Sequence, residues 1–110
     1  MIEKIVKDYL NDNLDVSVTL EIPKTGNSFI VIEKTGSRED EHMYRATIAV
    51  QSYDTTLLKA AQLNERVKQI MKNIVELDEI SQCKLNSDYN FTDTETKRYR
   101  YQAVFDLIHY

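Results

Sequence analysis

A chain of 110 residues can bury one hydrophobic core and is short for two, so a single domain over residues 1–110 is expected. The 14 Lys and Arg against 18 Asp and Glu give a formal charge of -4 with no basic tract long enough to follow a phosphate backbone, which argues against specific nucleic-acid binding. Cys83 stands alone, so no intrachain disulfide can form, and no apolar run approaches the ~20 residues a membrane span needs.

The chain begins at Met1 on a helical pattern rather than on a charged start and apolar signal segment, which points to a cytoplasmic product with no membrane association. Ile2, Ile5, Val6, Tyr9 and Leu10 recur at helical spacing and predict an amphipathic helix over residues 1–12. Asn11, Asp12 and Asn13 offer side chains that compete for backbone hydrogen bonds and end it. Val16, Val18, Leu20 and Ile22 then alternate with Ser17, Thr19 and Glu21, which predicts a strand over residues 16–22, closed by Pro23.

Two matching tetrapeptides, Lys24-Thr25-Gly26-Asn27 and Lys34-Thr35-Gly36-Ser37, bracket the apolar run Phe29-Ile30-Val31-Ile32. Glycine permits positive φ, so both tetrapeptides read as turns at the ends of a strand. Neither has the glycine density or the following lysine of a phosphate loop. Ser37-Arg38-Glu39-Asp40-Glu41-His42 carries no apolar anchor and reads as a charged surface loop, with an assembly contact as its competing role.

A strand over residues 43–53 follows, with Tyr44, Ala46, Ile48 and Val50 facing the core and Met43, Arg45, Thr47, Ala49 and Gln51 opposite. Asp54 is placed to cap a helix of about twenty residues, ~30 Å long, whose apolar stripe runs through Leu57, Ala60, Leu63, Val67, Ile70, Met71, Ile74 and Leu77. The stripe covers fewer than three heptads, so a helix lying across a sheet explains it better than a coiled coil. A strand over residues 80–89 and a terminal strand complete the order α-β-β-β-α-β-β. The expected fold is α+β, one mainly antiparallel sheet with two helices packed on one face.

Little in the chain looks catalytic. His42, His109 and Cys83 lack the spacing of metal ligands, and both histidines read as surface groups. Ser52-Tyr53-Asp54 lacks the glycine-flanked elbow that exposes a nucleophilic serine. No catalytic, metal or cofactor-binding residue is therefore expected. In the terminal strand Tyr99, Tyr101, Ala103, Phe105 and Leu107 share one face, with the two tyrosines as core residues whose hydroxyls reach the rim. Arg98 and Arg100 fall on the other face with Gln102, Val104, Asp106 and Ile108. Two arginines on an acidic protein suit an interface with carboxylates better than a stack of bases. The acidic run at Glu39, Asp40 and Glu41 is a candidate partner, either in an adjoining subunit or in the same chain.

Several phrases in order carry a resemblance: Val31-Ile32-Glu33-Lys34-Thr35-Gly36 before the charged run, Ala46-Thr47-Ile48-Ala49-Val50-Gln51-Ser52-Tyr53 before the long helix, and Tyr89-Asn90-Phe91-Thr92-Asp93 with Arg98-Tyr99-Arg100-Tyr101-Gln102-Ala103-Val104-Phe105 at the end. Through them nearly the whole chain resembles the tail-terminator (tail-completion) proteins of long-tailed bacteriophages and prophages of Gram-positive bacteria. That resemblance implies an α+β subunit that assembles, typically as a hexameric ring, on the head-proximal end of the tail tube. It would stop tube polymerisation and join the neck of the filled head. The implied partners are further copies of itself, the tail-tube protein and a head-tail connector or neck protein. DNA would pass through without specific binding, and the protein would move from the host cytoplasm into the virion tail.

A closed ring needs two different complementary patches on each subunit. The candidate interface residues are Lys34, Thr35, Gly36, Arg38, Glu39, Asp40 and Glu41 on one side and Asp93, Lys97, Arg98 and Arg100 on the other. The alternatives are another neck protein, such as a head-closure or adaptor subunit, and, from a different class, a small ligand-binding or enzymatic domain.

Overall fold

The computed structural model describes all 110 residues. Its elements are α1 (Ile2–Asn13), β1 (Ser17–Thr19), β2 (Phe29–Asp40), β3 (Met43–Asp54), α2 (Leu57–Met71), a 3-10 turn (Ile74–Glu76), β4 (Ile80–Asn90) and β5 (Tyr99–His109). The five strands form one sheet in the order β1-β2-β3-β5-β4. Only the β1–β2 pair is parallel, and both helices pack on one face, as the sequence predicts.

The core lies between those helices and the sheet. Ile2, Val6 and Leu10 of α1 and Leu63, Val67 and Met71 of α2 press onto Ile30, Ile32, Ala46, Ile48, Val50, Ala103, Phe105 and Leu107. Burying each larger aliphatic side chain stabilises the fold by roughly 1.5–3 kcal/mol relative to leaving it exposed. Tyr9 ties the helices together by donating its hydroxyl to the Ile70 carbonyl at 2.8 Å, and Arg66 reaches Asp15 at 2.9 Å. Desolvation of that tyrosine raises its pKa.

Several boundaries differ from the sequence expectations, each for a local reason. The first strand shrinks to Ser17–Thr19, because the Thr19 hydroxyl turns to the Glu21 carbonyl at 2.6 Å and leads the chain off the sheet. Leu20 and Ile22 are consequently exposed. Gly26, at φ 103, is the turn glycine expected of its tetrapeptide. Gly36 is not. Lys34-Thr35-Gly36-Ser37 lies inside β2, where the register slips at Thr35, so the segment is a β-bulge rather than a turn.

The charged run beyond it is likewise strand rather than loop: Arg38, Glu39 and Asp40 pair with Arg45, Tyr44 and Met43. Glu41 and His42 alone make the turn, both at positive φ (49 and 72), the geometry of a tight two-residue hairpin. The cap of α2 is Thr56, whose hydroxyl accepts from the Lys59 N–H at 3.1 Å. Asp54 is instead held by Ser28 and Thr55. The helix also ends sooner than predicted. After Met71 the stripe residue Ile74 enters the core through the 3-10 turn rather than through a continuous helix.

Candidate interaction surfaces

The sheet sets the geometry of everything at its surface. Its long strands give the molecule extents of 43 × 25 × 23 Å, and the two groups of candidate residues sit at opposite ends of the long axis. Glu39 lies opposite Tyr44 and Arg100 opposite Tyr53; the nine steps from residue 44 to residue 53 along β3 span ~30 Å at the usual strand rise. No side chain crosses that distance, so pairing of the acidic and basic groups within one chain is ruled out.

At the first end, Lys34, Thr35, Gly36, Arg38, Glu39, Asp40 and Glu41 are all exposed on the β2–β3 hairpin. Lys34 comes within 3.9 Å of Glu3 of α1, and the bulged Thr35 donates to the Thr47 carbonyl at 3.4 Å. Glu39, Asp40 and Glu41 form no intrachain ion pair and extend the end of the sheet as a free acidic tip.

The second end is a smaller hairpin between β4 and β5. Asp93 bridges to Arg98, and its carboxylate accepts from the Glu95 N–H at 3.0 Å. That backbone hydrogen bond, helped by Thr96, lowers the Asp93 pKa below the ordinary carboxylate value. Lys97 adopts φ 55 at the tip, and Lys97 and Arg98 stand exposed.

Arg100 is different, and the expectation of a free interface arginine is corrected here. Its Nε donates to the Phe91 carbonyl at 2.6 Å and its Nη1 to the Tyr53 hydroxyl at 2.8 Å. The guanidinium lies 4.3 Å from the centroid of the Phe91 ring. Two of its five N–H donors are thus engaged inside the chain.

Arg100 anchors a row of side chains on the helix-free face that sequence reasoning missed. Phe29 stacks on Tyr53 with ring centroids 4.6 Å apart, and Tyr89 meets Phe91 edge-on at 5.8 Å. Gln51 donates to Gln102 at 2.8 Å, and Gln102 donates to the Tyr89 hydroxyl at 2.6 Å. Although no helix covers this face, Gln51 is 7% and Gln102 8% exposed, because long neighbours on adjacent strands close over them. One signal was present in the sequence: Phe29-Ile30-Val31-Ile32 is apolar on both faces of a strand, which requires packing on the second face too. Tyr99 and Tyr101, expected as core, lie past the helical cover; Tyr99 is exposed and Tyr101 half-buried.

Elsewhere the polar groups are structural. Asp88 of β4 accepts from Asn64 and Lys68 of α2, both at 3.0 Å, and Lys68 also reaches Glu65 at 2.8 Å. The hydrogen bonds to Glu65 and Asp88 raise the Lys68 pKa. Burial pushes the Cys83 thiol up to about 11, leaving it protonated at neutral pH. His42 is exposed at the hairpin turn, and His109 stacks on Tyr44 at 5.5 Å. No group of three His, Cys, Asp or Glu side chains is arranged to hold a metal ion, and no helix is long and apolar enough to cross a membrane. Compared with known families and with curated proteins, the chain matches no family model and no curated sequence.

Proposed function

We propose that this protein is a structural subunit of virion assembly, closing the head-proximal end of a phage tail tube as a six-membered ring. The ring stops tube polymerisation and presents the surface that joins the neck of the head. The reading starts from the resemblance to tail-terminator proteins. The observation that carries it further is the separation of the two charged hairpins: an acidic tip of Glu39, Asp40 and Glu41 at one end, and Lys97 with Arg98 about 30 Å away at the other. A pair that cannot meet within one chain is available between chains, and two different complementary patches are what a head-to-tail ring requires. No catalytic step enters this role. The net charge of -4 suits a ring through which DNA passes without being held.

Light scattering over a wide concentration range, with negative-stain images of the most concentrated sample, tests the proposal. Rings of about six subunits are the expected result. A monomer at every concentration rules out a preformed ring and moves the weight to another neck protein. Charge reversal identifies the contact: Glu39→Lys and Arg98→Glu should each disrupt the ring, and the double variant should restore it. Arg98 is the better site than Arg100, whose reversal would break the Phe91 and Tyr53 hydrogen bonds of its own subunit.

A further inference from the structure

The geometry points to an apolar contact between copies of this chain, in which Leu57 and Leu58, the first turn of α2 in one subunit, seat on the aromatic shelf around Tyr44 in the next. The contact belongs to the head-to-tail ring and depends on that reading. Thr56 caps α2, so the two leucines open the helix, in a turn that holds no acidic residue although acidic side chains are favoured there. Leu57 is 39% and Leu58 68% exposed, while Ala60, Leu63 and Val67 of the same helix are buried. Adjacent helical residues point about 100° apart, so the sheet beneath α2 cannot cover both leucines.

The shelf lies at the other end of the sheet. Tyr44 shares its face of β3 with the core residues Ala46, Ile48 and Val50 but stands beyond the helical cover, 42% exposed. Its ring stacks on that of His109 with centroids 5.5 Å apart, and the two rings line, with Met1, an open depression of about 520 Å³. The charges around this depression balance, Lys34 and Arg38 against Glu3 and Glu39, so it favours neither sign of guest. Apolar surface with a polar rim is the anatomy of a protein contact.

Position selects a second copy as the occupant. Tyr44 stands near the start of β3 and Leu57 just past its end, so leucines and shelf are ~30 Å apart along the long axis and cannot meet within one chain. Both lie on the helix-bearing face. A copy displaced along the long axis with the same face outward therefore sets its leucines on its neighbour's shelf. The same step brings the acidic tip, which adjoins the shelf through Glu39, to Lys97 and Arg98, which line a cavity with Thr55 just ahead of α2. One displacement thus covers both apolar patches and joins both charged hairpins, and repeated with a constant rotation it closes a ring. A two-fold dimer would set shelf against shelf and leave the leucines of both copies uncovered.

The test uses the full chain. Light scattering over a concentration series gives the midpoint of self-association for the unmodified protein and for Leu58→Gln, Tyr44→Ser and Leu85→Gln, with circular dichroism showing each variant folded. Leu58→Gln and Tyr44→Ser should each raise the midpoint about tenfold or more, whereas Leu85→Gln, an exposed apolar site halfway along β4, should leave it unchanged. Disulfide trapping gives the direction of the contact. With Cys83→Ser in both chains, a mixture of Ser37→Cys, at the shelf, and Lys59→Cys, beside the leucines, should yield a cross-linked dimer that neither forms alone. Rings that assemble as readily with Leu58→Gln overturn this contact and leave the ring standing. An unmodified protein that stays monomeric at every concentration overturns both together. Cross-linking of Lys59→Cys chains on their own also overturns the contact, in favour of a symmetric one.

Discussion

Arg100 shows how a charged side chain can belong to the architecture while standing near the surface. Its guanidinium joins β5 to Phe91 and to Tyr53 of β3, so Arg100→Ala removes two hydrogen bonds and a cation–π contact. We expect it to cost about 1–3 kcal/mol in urea denaturation, and Arg98→Ala, whose side chain is exposed, under about 0.5 kcal/mol. Cys83 gives a chemical readout of burial. Its thiol ionises near 11 rather than 9.0, so iodoacetamide at pH 8.5 should modify the native protein far more slowly than the urea-unfolded one. Comparable rates in the two states would contradict the packing of Cys83 against the core. At the hairpin tip, Glu41 and His42 hold positive φ without being glycine. His42→Gly relieves that strain and should raise stability by roughly 0.5–1 kcal/mol, measured by the urea midpoint, after the entropy cost of glycine is set against it.

At the scale of elements, α2 is fastened to β4 by few groups, and they are polar. Asp88 receives both Asn64 and Lys68, and Asn64 is 1% exposed with its carbonyl oxygen already lacking a partner. Asp88→Ala would leave the Asn64 amide wholly unsatisfied and is expected to cost about 1–3 kcal/mol in thermal or urea unfolding. The linkage also has a pH signature. The Lys68 pKa is raised by its carboxylate partners, so its contribution is full below the ordinary lysine value of 10.5 and is lost as pH rises through the higher folded value. Loosening of α2 from β4 should therefore appear above pH 10.5, and Lys68→Met should abolish that part of the alkaline transition. The elements themselves were largely legible, because strand alternation and the helical stripe are periodic signals along the chain. The bulge at Thr35 was not, since glycine in Lys34-Thr35-Gly36-Ser37 satisfies a turn and a bulged strand alike, and only the pairing with Ile48 and Thr47 decides between them.

For the whole molecule, the sequence supplied the two charged segments but not their separation. That Glu39 and Arg98 lie at opposite ends depends on β3 running unbroken between Tyr44 and Asp54 beside β5, a long-range pairing that no local pattern encodes. The helix-free row was hidden for the same reason: Gln51 and Gln102 are far apart in the chain and become buried only once their strands are neighbours. The topology has a kinetic consequence as well. β2–β3 and β4–β5 are local hairpins, each able to form from nearby residues, whereas the seam of 11 paired positions between β3 and β5 joins two halves separated by α2 and the 3-10 turn. Closing that long loop must precede the reward of zipping the seam, so docking of two preformed halves should limit the folding rate. In a stopped-flow chevron the hairpin change His42→Gly should mainly alter the folding rate, because its ribbon is already formed at the barrier, while Val50→Ala at the seam should also speed unfolding, dividing the protein into an early pair of ribbons and a late junction.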